Sequence, residues 1–178
     1  MKKIIFWLTL IIIIIFVNFL VVRKENVIKH GQTVLLKLAP KDPRALMQGD
    51  YMRLRYTIAD NLNKTLHLYR RASSTGKTNE PEIKSDGYLI LELETNSVAK
   101  FVKIYAGETL LSNQCLIYYR NRRGIKIGAE KFFFKEGEEN IYSKAKYGEL
   151  KIDASGKSVL VGLRDKSLNK LGRDRFKN

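Results

Sequence analysis

Hydrophobic positions along this chain follow two regimes. From Ile4 to Val22 no residue is charged, and only Thr9 and Asn18 are polar. A helix rises about 1.5 Å per residue, so such a run nearly crosses a hydrocarbon core of about 30 Å. A cleaved signal peptide would share the basic start at Lys2-Lys3 and the apolar run. This run, however, exceeds the roughly 7–15 residues of a signal core, and Asn18 to Val22 offers signal peptidase no pair of small residues. The pattern predicts an uncleaved signal anchor, a transmembrane helix within residues 1–24.

Beyond the anchor the period drops to two. Thr33 to Leu38 reads as a short strand, stopped by Pro40 and Pro43. Met52, Leu54, Tyr56 and Ile58 alternate with Tyr51, Arg53, Arg55 and Thr57, predicting a half-buried strand with one core face and one basic face. Asp60 can cap a short helix over 60–72, where Leu62, Leu66 and Tyr69 share a face. Ser73 to Gly87 reads as a loop. Strands are then expected over 89–93, 98–105 and 109–120, with a turn at Thr95-Asn96-Ser97, followed by an extended stretch over 125–134. Glu136 to Tyr147 has a helix's charge order, with Glu138 and Glu139 early, Lys144 and Lys146 late, and Gly148 beyond. Residues 149–153 and 157–163 form a hairpin pattern around Ala154-Ser155-Gly156. From Arg164 onward few apolar residues remain, which predicts a frayed basic tail. The expected architecture is mainly β, an antiparallel curled sheet or partly open barrel with one or two short helices, occupying 25–165 between the anchor and a tail over 166–178.

Composition narrows the chemistry. Hydrophobic residues make up 44% of the chain, with 3 Pro and 12 Gly, which excludes disordered and collagen-like classes. One cysteine, Cys115, cannot form an internal disulfide or a cysteine-cluster zinc site, and His30 and His67 are isolated. No metal or cofactor is expected. Lys and Arg number 33 against 18 Asp and Glu, a formal net charge of +15, and this favours anionic surroundings such as lipid headgroups, envelope polymers or nucleic acid. The aromatic residues outside the span mostly alternate at strand spacing, as core residues do, which counts against nucleic acid.

Orientation follows from the anchor more than from charge. Arg23, Lys24 and Lys29 follow the span about as closely as Lys2 and Lys3 precede it. Long domains translocate largely regardless of charge, so the domain after the anchor is expected outside the cytoplasm, on a single-pass protein of the cell membrane. Asn18 could bond a partner helix, but its place near the end of the span reads more simply as an interfacial polar residue.

Catalytic constellations are weak. Glu130, Glu136, Glu138 and Glu139 are the densest carboxylates, and a pair could in principle work as acid and base. A serine–lysine hydrolase would need a lysine-activated serine, yet no serine follows the anchor before Ser73. Ser74-Thr75-Gly76-Lys77-Thr78 ends like a phosphate loop but lacks its first glycine and the strand before it.

The stretch from Asp42-Pro43-Arg44 through Gly49-Asp50-Tyr51, Leu54 and Tyr56 resembles the bacterial family named for its GDYxxLxY motif. Lys131-Phe132-Phe133-Phe134-Lys135-Glu136-Gly137 is similar to a second family block, with Lys135 where many relatives carry a turn-forming proline. The resemblance implies a membrane-anchored protein of no established activity, and for some members a multi-pass membrane protein encoded beside them or fused to them. It supplies no catalytic residues. In physical terms Gly49 suits a tight turn, Asp50 can bond turn N–H groups, and Tyr51 and Tyr56 fall on opposite strand faces. That describes a turn-to-strand junction; a sharper reading makes Asp42, Arg44, Gly49, Asp50, Tyr51, Leu54 and Tyr56 a recognition cluster, with Glu130, Phe133, Glu136 and Gly137 as a second block. The expected function is an extracytoplasmic binding or accessory module acting with a multi-pass membrane protein, membrane lipid being its other contact. The alternatives are a membrane-tethered envelope hydrolase and a binder of anionic polymers.

Overall fold

The computed structural model describes residues 2–39, 51–73 and 84–172, with the side chains of Lys2 and of 67–73 excepted. Asp42, Arg44, Gly49, Asp50, the 74–78 stretch and the His67 side chain lie outside the described residues. Helix α1 spans Lys2–His30 and exposes apolar residues on all sides. It is long and apolar enough to cross a membrane. It continues past Lys24 because nothing from Arg23 to His30 breaks a helix, and Glu25 pairs with Lys29 one turn on at 3.5 Å. Inside the span, Thr9 donates to the Ile5 carbonyl and the Asn18 amide to that of Ile14. Both polar residues are thus satisfied by their own helix, and Asn18 needs no partner helix.

Gly31 alone separates α1 from β1 (Gln32–Lys37). Its N–H closes the last helical bond to Val27, 2.9 Å away, and a Cβ there would collide with that same carbonyl. The chain turns from helix into strand with no linker between them.

The remaining elements are β2 (Tyr51–Arg53), α2 (Thr57–Ser73), β3 (Asp86–Leu93), β4 (Ala99–Ile104), β5 (Gln114–Asn121), β6 (Ile125–Lys126), β7 (Lys131–Phe133), α3 (Glu139–Tyr142), β8 (Tyr147–Ile152), β9 (Ser158–Arg164) and β10 (Lys170–Leu171). They build two antiparallel four-stranded sheets, ordered β1-β8-β9-β10 and β4-β3-β5-β6, with the pair β2-β7 beside them. Register shifts at Ile90/Leu91 and Glu149/Leu150 mark the bulges that curl the two sheets. The Leu35 N–H joins the first sheet to the Ser97 carbonyl at 2.8 Å, and the Tyr118 N–H joins the second to Gly156 in the β8–β9 turn, also at 2.8 Å. The fold is therefore mainly β, two curled half-barrel sheets with few helices. Its core is the inner face of both sheets, where Val34, Leu89, Leu91, Leu150 and Leu163 are wholly buried. Each such side chain contributes about 1.5–3 kcal/mol.

Several elements differ from the sequence reading. The strand expected to reach Ile58 ends at Arg53, because only Tyr51–Arg53 finds a partner, and α2 begins at Thr57. The alternation survives the loss of the ladder, with Met52, Leu54 and Tyr56 buried and Arg53 and Arg55 exposed. β5 starts at Gln114 rather than Thr109, since the Gln114 side chain and N–H close a turn on Leu111. The helix expected over 136–147 shrinks to α3. Gly137 takes a φ of +84° before it, in a turn closed by Glu138 onto Lys135, and beyond it Lys146 pairs with Leu38 and Arg164. That turn forms without the proline.

The C-terminal stretch is also more ordered than its composition suggests. Arg164 pairs with Glu149 through two contacts, Nε–Oε2 at 3.0 Å and Nη2–Oε1 at 3.1 Å, and donates to the Leu168 carbonyl at 2.8 Å. Asp165 then accepts the N–H groups of Ser167 and Asn169, and Lys170–Leu171 adds a strand to β9.

Candidate functional site

The second half of the motif is a structural joint. Tyr56 is 1% exposed, its hydroxyl donates to the Ala129 carbonyl at 2.8 Å, and its ring lies where a Cβ on Gly148 would be. Tyr56 also bridges to Leu38 just beyond β1, and the Ala39 N–H bonds the Arg55 carbonyl at 2.8 Å. Through its side chain Tyr56 thereby ties the start of β8 to the segment before β7, and the backbone at 55–56 adds the end of β1. Burial, reinforced by the nearby Glu130 carboxylate, pushes the phenol far above its ordinary range, so it remains a donor. Leu54 is buried as well, and its N–H bonds the Glu130 carbonyl at 2.8 Å.

The two sequence blocks meet here. Tyr51 lies opposite Phe133 in the β2–β7 ladder with ring centres 5.7 Å apart, and Lys131 sits over the Tyr51 ring at 5.5 Å. Glu130 spends its Oε1 on the N–H groups of Ile127 and Gly128, at 2.7 and 2.9 Å. Glu136 and Gly137 do not join this cluster; both are exposed at the turn before α3. Glu138 and Glu139 accept N–H groups of that same turn. The carboxylates singled out from sequence are thus engaged in turns or face solvent, and no acid–base pair emerges from them among the described residues.

What the motif leaves at the surface is charge. Arg53 and Arg55 point outward and, with Lys131, form one wall of an open cavity of about 690 Å³ floored by Leu54, Tyr56 and Ala59. The facing wall comes from Arg123 and Lys126 at the β5–β6 hairpin. Asn63 on α2 holds that hairpin, accepting the Ile125 N–H at 2.6 Å and approaching the Ile125 carbonyl at 3.4 Å. A second cavity of about 520 Å³ continues the first, sharing Arg55, Asp60, Asn63 and Arg123 and adding Lys64 and Arg122. Asp60, in the first turn of α2, is taken by Arg55 at 2.9 Å. The hairpin side of this groove went unread in the sequence, although Arg120-Asn121-Arg122-Arg123-Gly124 is a visible basic tip.

A different cleft of about 750 Å³ lies where α1 meets the sheets. Val27, Leu110, Cys115, Leu116 and Ile152 line it, with Arg23 and Asp153 as its charged residues. Burial pushes the Cys115 thiol up to about 11, which makes it a poor nucleophile near neutrality.

No curated protein and no solved structure matches the chain. The family described as GDYXXLXY protein matches residues 13–163, from the middle of α1 to the end of β9. That match takes in both aromatic blocks and the joint they build around Tyr56. The chain belongs to the GDYXXLXY protein family.

Proposed function

We propose that the protein is a single-pass, membrane-anchored binding or accessory module whose β domain lies outside the cytoplasm and which works beside a multi-pass membrane protein. The observation that carries this reading is the junction at Gly31. A domain that samples its surroundings needs a flexible stalk, whereas α1 enters β1 directly and its last turns pack on the ends of β8 and β9. Such a domain is held at one height and one orientation, which suits a fixed place beside an integral partner. The apolar surface of α1 and the family membership support the same reading.

The test is gentle detergent extraction of the native protein from its own membranes, with mass spectrometry of whatever co-purifies. The expected result is a multi-pass protein in stoichiometric amount. Purification of the chain alone, under conditions that keep other membrane complexes intact, would contradict it.

A further inference from the structure

We infer that the groove between α2, β2 and the β5–β6 hairpin binds a linear phosphodiester polymer that carries no aromatic bases. Arg53, Arg55 and Lys131 line it from the β2–β7 side, Lys64 from α2, and Arg122, Arg123 and Lys126 from the hairpin, and among the described residues the only acids there are Asp60 and Glu130. Both acids are already committed, Asp60 to Arg55 and Glu130 to the N–H groups of Ile127 and Gly128. Among the described residues no carboxylate pairs with Arg53, Lys64, Arg122, Arg123 or Lys126, so their field acts on whatever enters.

The form of the groove selects the ligand within the anions. Its cations are all exposed and spread along two adjoining cavities, which matches a chain of repeated charges better than one enclosed anion. Sequence-tolerant binding of single-stranded nucleic acid needs aromatic faces for the bases to stack on. Among the described residues the only aromatic side chain lining either cavity is Tyr56, which is buried with its hydroxyl engaged. Headgroups of the bilayer that α1 would enter are disfavoured by distance. β1 and β5 both start at the helix-end cleft, with Gln32 and Gln114, and end at the groove, with Leu38 bridged to Tyr56 and with Asn121. At about 3.3 Å per residue the two sites are roughly 20 Å apart.

The proposal concerns this groove alone, and its failure would leave the co-purification result untouched. The experiment titrates full-length protein in detergent against labelled poly(glycerol phosphate) by fluorescence anisotropy at several salt concentrations. It compares wild type with Arg122→Glu/Arg123→Glu/Lys126→Glu and with a control of equal charge change elsewhere, Lys144→Glu/Lys157→Glu/Lys166→Glu. The groove variant should bind at least tenfold more weakly, with its salt slope reduced by about 2 to 3, while the control stays within about threefold of wild type. Should the groove variant fail to fold, as read by circular dichroism, Arg122→Gln/Lys126→Gln replaces it, with an expected loss of at least threefold. Equal weakening by groove and control variants would overturn the proposal, as would equal affinity for a poly-dT strand of matched charge. Groove-dependent capture by phosphatidylglycerol vesicles, or groove-dependent saturation by inorganic phosphate alone that blocks the polymer, would also overturn it, pointing to headgroups or to a single-anion site.

Discussion

Two large clefts of this protein are close in size and differ in the charge of their lining. The one at the helix end, about 750 Å³, sets apolar Val27, Leu110, Leu116 and Ile152 among polar Gln32 and Gln114. The other, about 690 Å³, has an apolar floor of Leu54, Tyr56 and Ala59 under a rim of arginines and lysines. Volume therefore says nothing about role here; chemistry and position do. The helix-end cleft lies where a helix and a strand meet through one glycine. In the basic groove the burden is divided, the floor carrying stability and the rim carrying charge of which, among the described residues, only Arg55 is paired with a carboxylate.

Truncating the floor breaks this division most severely. Tyr56→Ala should lower stability by about 3–5 kcal/mol, as for other large aromatic truncations, seen as an early thermal unfolding transition. Tyr56→Phe removes only the hydroxyl and leaves the Ala129 carbonyl without its donor, at about 1–2 kcal/mol. Substitutions at the rim, such as Arg122→Gln, should stay within about 0.5 kcal/mol. A rim substitution as costly as Tyr56→Ala would show that floor and rim are not separate.

The Glu149–Arg164 pair links β8 to β9, with Glu149 6% exposed. Arg164→Met should cost about 3 kcal/mol, the low end for a broken buried pair, since 28% of the Arg164 side chain keeps contact with solvent. At the helix end, Gly31→Ala places a Cβ against the carbonyl of Val27 and the backbone of Ile152. A cost of about 1–3 kcal/mol is expected from that overpacking, with amide exchange faster at β1 and unchanged at the β5–β6 hairpin. Uniformly faster exchange would mean that the junction is not local.

The smallest effect comes from alkaline titration. The Cys115 thiol is raised from 9.0 to about 11, so its contribution is complete below pH 9 and is lost as the pH rises towards 11, where the unfolded chain ionises and the folded one resists. Tyr56, raised from 10.0, adds to the loss from pH 10 upward. Denaturation midpoints should therefore fall above pH 9, and less steeply between 9 and 11 in Cys115→Ala.

The elements legible in the sequence were those with a long, unbroken period. The apolar run of α1, the alternation of β3 and the β8–β9 hairpin around Gly156 all lie close to where the pattern puts them. The structure departs from the pattern where a local sequence has two solutions. Ile58 continues the alternation of Met52, Leu54 and Tyr56, yet it also fits the first turn of α2, and the lack of a partner strand beyond Arg53 decides for the helix. The charge order of 136–147 fits a helix, yet Tyr142 packs against Phe132 and Phe134 and the chain must return to strand pairing at Lys146. The site was half legible. Tyr51, Leu54 and Tyr56 lie within a few residues of one another, whereas the groove needs Arg53 and Arg55 brought opposite Arg122 and Arg123, and that meeting depends on Asn63 holding the hairpin. Arg164, read as the start of a frayed tail, shows the same limit, because its partner Glu149 lies across a hairpin.

The central claim is that α1 anchors the chain with the β domain outside the cytoplasm. Thiol labelling tests it most directly, using Thr95→Cys at an exposed turn in a Cys115→Ala background, with a membrane-impermeant maleimide added to intact cells. The account predicts labelling in intact cells equal to that after permeabilisation. Labelling that appears only after permeabilisation would contradict it and place the domain, with its basic groove, on the cytoplasmic side.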